Sequence, residues 1–312
     1  MRVSTVIPVY NRRELVCKAI ESAQVQNIDG HQIVLMDNCS TDGTWEILQQ
    51  YASEDPRIKA IKNHENVGPV RNWKLGVQAS EGEYCHLLFS DDWLEPGFLK
   101  SALDRFDDQT AFVLVGHTLI DSNGIIEESS FQVEPSIAVS EFYESAIFLN
   151  PNGIQVTTPI SGLFRREELL DSILIEIPNP FGIDYGGHGA GPDQLIFLLV
   201  ARNYPWIRCV NRRMVAMRAH EGSITFTTRD LNLAREWARW YFVGNYWPEA
   251  INRYRSMLWL KSFKNTDCLS VYEYIQRRIG GRVESRLAIE YGVRRLLGLP
   301  WPSDRRNLRG KN

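Results

Sequence analysis

Short apolar runs alternate with amphipathic stretches through the first third of the chain. The runs are rich in Val, Ile and Leu, which is typical of parallel strands buried on both faces. We expect these strands at residues 2–9, 32–36, 57–62 and 84–89. Between them, apolar residues recur every three or four positions. This spacing predicts helices with stripes at Leu15, Ala19, Ile20 and Ala23 and at Trp45, Leu48 and Tyr51, and a third helix over 66–79. The alternation predicts an α/β fold with a doubly wound sheet in strand order 3-2-1-4.

Several connections carry local signals. Asn11 is suited to cap the first helix, with Glu14 three residues later completing a capping box. The turn Asp121-Ser122-Asn123-Gly124 predicts a hairpin between strands at 111–120 and 125–133. A later strand is expected at 214–218 and a helix at 194–200.

Polar residues follow the first, second and fourth predicted strands. Ligands of open α/β sheets bind outside the carboxyl ends of the strands, so we expect 8–10, 37–38 and 91–92 to converge on one crevice. Neighbouring side chains of an extended chain point to opposite sides, so Asp91 and Asp92 are expected to have different roles. One would bind a metal and the other would accept from a ligand hydroxyl. The alternative is that the paired acids form a turn or cap a helix.

The chain lacks the usual phosphate-binding motifs. The turn Pro8-Val9-Tyr10-Asn11 has no glycine-rich fingerprint, and neither GxxxxGKS nor GxxxxGKT occurs. We therefore expect neither a dinucleotide site nor a P-loop. A diphosphate would instead be neutralised by Mg²⁺ or Mn²⁺, because carboxylate oxygens such as those of Asp91 or Asp92 suit these ions.

Four segments occur together in the first ninety-two residues. They are Val6-Ile7-Pro8-Val9-Tyr10-Asn11, Met36-Asp37-Asn38-Cys39-Ser40-Thr41-Asp42-Gly43-Thr44, Asn66-Val67-Gly68 with Arg71-Asn72, and Glu81-Gly82-Glu83-Tyr84 with Ser90-Asp91-Asp92. In order and spacing they resemble the nucleotide-sugar-binding half of family 2 glycosyltransferases of the GT-A fold. The resemblance covers 1–107 closely and 108–225 more loosely. It implies a Rossmann-like mixed sheet with flanking helices: a donor-binding half at 1–107, an acceptor-side half at 108–228 and a helical C-terminal region at 229–312.

The resemblance also implies an activity. It is the inverting, metal-dependent transfer of a sugar from a nucleotide-diphosphate sugar, with UDP favoured over dTDP, to a hydroxyl acceptor. The acceptor would be a sugar or a lipid-linked sugar in surface polysaccharide or glycolipid synthesis. The implied nucleotide-sugar-binding residues are Pro8, Tyr10, Asn11, Asp37, Asn38, Arg71, Asp91 and Arg218.

Individual roles follow from the same resemblance. Tyr10 would stack on the pyrimidine base, and Asp37 would accept a hydrogen bond from a base N–H. Asp91 would take a ribose hydroxyl and Asp92 would bind Mn²⁺ or Mg²⁺, although the two could exchange. Phe89 stands where many family members carry a further Asp, which leaves the metal stoichiometry open.

Asp193 is the implied base that takes the proton from the acceptor hydroxyl. It stands at the start of the predicted helix 194–200, with Pro192 in place of a Glu of the family motif. The alternative is an ordinary helix N-terminal acid that complements the helix dipole. Asp184 is the reserve candidate, within a segment containing five glycines, 179–192, that is placed to close over a substrate.

Arg218 and His220 lie in a segment that resembles one near the diphosphate in this family. Arg218 would hold a phosphate oxygen, and His220 would complete the metal shell. The alternative for His220 is an ordinary surface or capping group.

The composition of the chain indicates the cellular compartment that we expect for it. Its 312 residues are 44% apolar, and its five cysteines are scattered without a CxxC pair. We expect a reducing, cytoplasmic setting with no disulfide framework or zinc site. The apolar run at 3–9 is short and is interrupted by polar residues, so no secretory leader is expected. The run at 195–201 is too short to span a bilayer.

Charge separates the two halves of the chain. Residues 1–200 carry a net charge of −16 and residues 201–312 carry +13, which sum to the overall −3. Aromatic residues with arginines between them follow residue 230, and they favour a helical subdomain that packs on the core. The alternative makes 283–301 a basic amphipathic segment on the inner face of a membrane. Nucleic acid is not an expected partner, because no recognition motif accompanies the charge.

Two other functions remain open at this stage. One is a catalytically inactive GT-A module that binds a nucleotide sugar, which Phe89 and Pro192 would fit. The other is a sugar nucleotidyltransferase, although such enzymes usually carry a glycine-rich basic loop after the first strand. The sequence does not identify the sugar, the acceptor or the oligomeric state.

Overall fold

The structure, a computed structural model, describes residues 2–129, 136–148, 158–220, 231–263, 265–279 and 283–297. Its strands are β1 Val3–Val9, β2 His31–Asp37, β3 Ile58–Lys62, β4 Tyr84–Leu87, β5 Trp93–Leu94, β6 Thr110–Asp121, β7 Gly124–Ser129, β8 Ser136–Ala138, β9 Gly162–Arg165 and β10 Trp206–Arg218. Its helices are α1 Val16–Gln24, α2 Thr44–Glu54, α3 Pro69–Ala79, α4 Phe98–Leu103, α5 Val139–Phe148, α6 Arg166–Ser172, α7 Tyr185–His188, α8 Pro192–Ala201, α9 Leu231–Tyr246, α10 Ile251–Ser262, α11 Thr266–Ile279 and α12 Ser285–Leu297.

A single mixed sheet of ten strands runs through the described part of the chain. Its strand order is β3-β2-β1-β4-β9-β6-β10-β5, with β7 beside β6 and β8 beside β10. The first four strands are parallel and follow the predicted 3-2-1-4 order. Next to them, β9 runs antiparallel to both β4 and β6. The predicted α/β fold with a mixed sheet and flanking helices is therefore confirmed.

Apolar side chains fill both faces of the sheet, because each central strand alternates its side chains between two layers. On one face, Val6 and Val34 pack with α3, α8 and the C-terminal helices. On the other face, Ile7 and Leu35 pack with α1, α2 and α4. All seven residues of β1 and of β2 are buried, as continuous apolar runs predict for central parallel strands.

A buried charge network ties the C-terminal helices together. Glu236 of α9 accepts from Arg239 at 3.0 Å and from the Tyr254 hydroxyl at 3.0 Å, and it also pairs with Lys261. Burial alone would raise the pKa of Glu236, but the neighbouring cations outweigh it and hold the pKa below its usual value. The carboxylate therefore stays charged and links α9 to α10.

Several predicted boundaries were wrong. Asn11 does not cap the first helix, which begins at Val16 without a side-chain cap. The strand expected at 214–218 begins at Trp206, because its first half pairs with β6 and β8. The fourth strand ends at Leu87 rather than at 89. The hairpin at 121–124 is confirmed, with Asp121 opposite Gly124. The last residues of the strand expected at 125–133 lie outside the described part of the chain.

No helix in the described ranges is both long enough and apolar enough to cross a membrane.

Glu236→Gln should lower the free energy of unfolding by about 3–5 kcal/mol, because it leaves the buried Arg239 and the half-buried Lys261 without their anion. Denaturant unfolding followed by circular dichroism measures this change. Glu249→Gln is the matched control, since Glu249 is exposed, and it should leave the midpoint unchanged. An equal midpoint for both variants would show that the network does not stabilise this region.

Candidate functional site

The ends of three parallel strands meet at one edge of the sheet. Val9 pairs with Asp37, so β1 and β2 end side by side. On the other flank of β1, the Leu88 N–H donates to the Val6 carbonyl, which continues the β4 alignment towards the same edge. The residues that follow these strands therefore lie at one edge of the sheet, as expected at a topological switch point.

Asp37 presents an unused acceptor at this edge. Its side chain is fully buried, and its Oδ2 accepts from the Ser40 N–H at 3.1 Å. The Lys62 Nζ lies 3.9 Å from the same oxygen. The other oxygen, Oδ1, is buried without a partner among the described residues. An orphaned buried carboxylate oxygen is costly, so this atom is suited to accept from a ligand.

The loop that carries Tyr10 is fixed by long-range hydrogen bonds. Asn11 has a φ of 49°, in the left-handed region. Its N–H donates to Ser40 Oγ at 2.9 Å, and its Oδ1 accepts from the Thr41 N–H at 2.9 Å. These bonds join the loop after β1 to the loop after β2 and leave the Tyr10 side chain 42% exposed. An exposed ring on a fixed loop is available to stack on a base.

Three other residues that were predicted to bind the nucleotide sugar lie in three different parts of the structure. Pro8 lies within β1, opposite Met36. Asn38 is engaged internally, because its Nδ2 donates to Asn66 Oδ1 at 2.8 Å and its Oδ1 accepts from the Val67 N–H at 3.0 Å. Its side chain therefore holds the loop before α3 in place. Arg71 is exposed on α3.

Asp91 and Asp92 lie in a turn. The prediction that they have different roles assumed an extended chain, which the structure does not show at these residues. The turn is closed by the Asp92 N–H, which donates to the Phe89 carbonyl at 3.1 Å. The two carboxylates nevertheless have different partners. Asp92 Oδ1 accepts from the Arg218 N–H at 2.8 Å, and Asp91 Oδ2 lies 2.9 Å from His220 Nε2.

These contacts arise because the short strand β5 pairs with the end of β10. Trp93 lies opposite Ala216 in that antiparallel pairing. The pairing brings Arg218 and His220 beside acids that precede them by 126 and 129 residues. The structure thus brings together four of the predicted site residues.

Burial and the adjacent charge of Asp91 raise the pKa of Asp92 well above its ordinary value. The hydrogen bond from the Arg218 N–H and the Arg218 charge oppose that rise. Two neighbouring acids, one of them buried, are thus arranged so that a nearby cation would favour their charged forms.

The donor set fits a divalent cation in part. Asp91 and Asp92 supply the carboxylate oxygens that suit Mn²⁺ and Mg²⁺. His220 adds an imidazole nitrogen 2.9 Å from Asp91 Oδ2. Within the described ranges, however, no three His, Cys, Asp or Glu side chains are grouped closely enough to hold a metal ion by themselves. The protein would therefore provide only part of a coordination shell, as is usual where substrate phosphates supply the rest.

Sequence reasoning missed a cation–aromatic cluster beside these acids. Lys18 Nζ lies 3.1 Å from the centre of the Trp93 ring, and the Arg218 guanidinium carbon lies 5.5 Å from it. Burial and the Arg218 charge lower the pKa of Lys18. Arg218 Nε is buried without a partner in the described part of the chain. The isolated position of Lys18 in α1 gave no signal of this contact.

Phe89 forms part of an apolar wall and offers no oxygen ligand to a metal ion. Its ring lies 5.2 Å from that of Trp73 on α3. Trp73 in turn packs against Gly189, which has a φ of 73° and where a Cβ would lie 2.4 Å from a Trp73 ring carbon. Only glycine fits this position. The wall therefore connects the acidic turn to the glycine-rich segment before α8.

Asp193 lies in the first turn of α8. Among the described residues, its side chain accepts two hydrogen bonds, both at Oδ1, from the Gly191 N–H at 2.8 Å and from the Gln194 N–H at 2.7 Å. Burial raises the pKa of Asp193, while the charges of Arg235 and Arg239 on α9 oppose the rise. Asp193 thus stabilises the start of α8 through Oδ1, and its Oδ2 is available to another partner. Asp193 makes no hydrogen bond to Asp91, Asp92, Arg218 or His220 in the described structure.

Asp184 has a structural role in the same segment. It is exposed, and its Oδ1 accepts from the Gly187 N–H at 3.1 Å, which caps the short helix α7. This helix lies within the segment that was expected to close over a substrate.

Sequence comparisons find that the chain is similar to glycosyltransferases. The sequence model of "Glycosyl transferase family 2" matches residues 4–169. Glycosyltransferase GlyG of Streptococcus pneumoniae is 24% identical over 241 residues, 75% of this chain and 76% of GlyG. GalNAc(5)-diNAcBac-PP-undecaprenol beta-1,3-glucosyltransferase of Campylobacter jejuni is 32% identical over 124 residues, 39% of this chain and 40% of that enzyme. The chain spans about half the length of other relatives that it matches.

A solved structure shares the fold of this chain. The crystal structure of residues 1–349 of S. aureus TarS in complex with UDP-GlcNAc superposes with a TM-score of 0.63 at 17% identity, over 96% of this chain and 82% of that fragment. A likeness at that identity concerns the fold, and it agrees with the GT-A resemblance of the sequence. Because the family model covers more than half of the residues, the chain belongs to glycosyl transferase family 2, whose members are glycosyltransferase enzymes.

Proposed function

We propose that the chain transfers a sugar from a UDP-sugar to a hydroxyl acceptor with inversion at the anomeric carbon. The observation that carries the proposal is the joining of Asp91 and Asp92 to His220 and Arg218 at the edge of the sheet. The same edge holds Oδ1 of Asp37, which has no hydrogen-bond partner among the described residues.

The uridine would bind at the ends of β1 and β2. Asp37 Oδ1 would accept from the base N–H, and the exposed Tyr10 ring would stack on the base. Asn11 and Asn38 would act through the loops that their side chains hold. Arg71, exposed on α3, would lie near the base or the diphosphate. The crystal structure of S. aureus TarS in complex with UDP-GlcNAc supports a UDP-sugar as donor.

The diphosphate would lie beside the acidic turn. Asp92, Asp91 and His220 would hold Mn²⁺ or Mg²⁺, which when bound would offset the charge of the leaving diphosphate. Arg218 would hold a phosphate oxygen through its guanidinium, whose Nε has no partner among the described residues. Lys18 and Trp93 flank that guanidinium and would restrict its orientation.

Asp193 would act as the base. Its Oδ2 would take the proton from the acceptor hydroxyl, while the two backbone N–H groups on Oδ1 fix the orientation of the carboxylate. Arg235 and Arg239 counter the effect of burial and so favour the charged form that a base requires. The C-terminal helices would thereby contribute to the chemistry as well as to packing.

The acceptor we propose is a lipid-linked sugar used in the synthesis of a surface polysaccharide or glycolipid, at the inner face of the membrane. The name of the Campylobacter jejuni relative, which includes an undecaprenol diphosphate acceptor, supports this class. The location would be cytoplasmic, with the five free cysteines reduced.

A second function is an inactive module that binds a nucleotide sugar. Phe89 favours it, because its ring packs on Trp73 where many family members have a carboxylate. Calorimetry with UDP and Mn²⁺, followed by an assay of donor hydrolysis, separates the two functions. Binding together with turnover supports the enzyme, and binding without turnover supports the module.

Asp37→Asn should weaken UDP binding about tenfold, because the charged acceptor for the base N–H is lost. Isothermal titration calorimetry measures the dissociation constant. Asp29→Asn is the control, since Asp29 is exposed before the opposite end of β2, and it should bind UDP as the wild type does. Equal affinity for both variants would remove Asp37 from the nucleotide site.

Asp193→Asn should lower kcat about 10²–10⁴-fold and leave UDP affinity unchanged, because only the proton acceptor is removed. Asp171→Asn, an exposed acid on α6, is the matched control, and Asp184→Asn tests the reserve candidate. Full turnover by Asp193→Asn would refute the assignment. Loss of turnover in Asp184→Asn alone would transfer the role of base to Asp184.

The fall of kcat/KM at low pH, the acid limb of the pH profile, should reflect the pKa of Asp193. Its pKa is raised, and a base must be deprotonated, so kcat/KM should fall as the pH drops through that pKa. Arg235→Gln removes an opposing charge and raises the pKa further, so the acid limb should move to higher pH. Arg212→Gln, an exposed cation on β10, should leave the profile in place. A profile that Arg235→Gln leaves unchanged would contradict this coupling.

A further inference from the structure

One face of α12 is explained by packing within the protein. Ala288 and Tyr291 are buried, and Leu260 of α10 lies where a Cβ on Gly292 would meet it at 3.3 Å. This side of the helix attaches α12 to α10. The apolar residues on the remaining surface of the helix therefore need another explanation.

The opposite side is also apolar and lies open. Ile289, Val293, Leu296 and Leu297 are 65%, 47%, 86% and 65% exposed. Their spacing of four, seven and eight residues from Ile289 places them along one stripe of a helix. Exposed Arg286 lies one turn before Ile289 on the same side. We call these five residues the α12 outer face. Contiguous exposed apolar side chains of this size mark an interaction surface.

The sequence that contains α12 is basic. Residues 277–312 hold ten arginines and lysines and three acids, in a chain whose overall charge is −3. Arg277 and Arg278, at the end of α11, are exposed. An apolar stripe bordered by arginines is the pattern of a helix that lies in the interface of a bilayer. Anionic headgroups attract such clusters of basic residues.

We propose that the α12 outer face binds the surface of an anionic lipid bilayer. Ile289, Val293, Leu296 and Leu297 would enter the boundary between headgroups and acyl chains, and Arg286 would contact lipid phosphates. A second copy of the chain is a poorer occupant, because pairing two such faces would bring two basic segments together. The proposal goes beyond sugar transfer and does not depend on the donor site.

Sedimentation of the full chain with vesicles tests this proposal. The wild type should bind phosphatidylglycerol-containing vesicles and should bind pure phosphatidylcholine vesicles much less, with binding falling as salt rises. Ile289→Glu combined with Leu296→Glu should weaken binding to the anionic vesicles about tenfold or more, because two inserted apolar side chains become acids. Both residues are exposed, so the substitutions should leave the fold intact, which circular dichroism checks.

The control places the same change elsewhere. Ile125 on β7 is 62% exposed, and Ile125→Glu should bind vesicles as the wild type does. Equal binding by the wild type and the double variant, or no binding by either, would overturn the proposal. Sedimentation velocity without lipid tests the other occupant. A wild-type dimer that the double substitution converts to a monomer would assign the α12 outer face to self-association and would also overturn it.

Discussion

The buried carboxylate of Asp92 is held by the backbone N–H of Arg218, at 2.8 Å and across 126 residues of sequence. This hydrogen bond joins the turn after β4 to the end of β10, and the pairing of β5 with β10 sets its geometry. Burial and the adjacent Asp91 bias this carboxylate towards its neutral form, and the hydrogen bond and charge of Arg218 oppose that bias. The position of Asp92 in the proposed donor site thus depends on how β10 crosses the sheet.

The sequence predicted what depends on local pattern and on general rules of α/β topology. Continuous apolar runs identified the buried strands, and the crossover rules placed their ends together, so Asp37 and Asp92 were expected near one crevice. The capping role of Asn11 failed because its side chain bonds to the Thr41 backbone of a distant loop instead of to its own helix. Tertiary partners of this kind leave no local trace in the sequence.

The remaining parts of the candidate site depend on contacts between distant segments. The Asp91–His220 contact needs the pairing of a two-residue strand, which is too short to predict from periodicity. The position of Lys18 over Trp93 depends on how α1 packs beside β5. Similarly, the arginines near Asp193 come from α9, a helix that was expected to serve packing alone in the simpler interpretation. The helical C-terminal region thus lies on one side of the candidate base, while the sheet provides the edge that is proposed to bind the donor.

Calorimetry of UDP binding with and without Mn²⁺, in the wild type and in Asp92→Ala, tests the central claim most directly. The claim is that Asp92, fixed by Arg218, helps to hold a cation beside the nucleotide diphosphate. It predicts that Mn²⁺ tightens UDP binding by the wild type and has little effect on the variant, with the fold of the variant checked by circular dichroism. An equal effect of Mn²⁺ on both proteins would contradict the account.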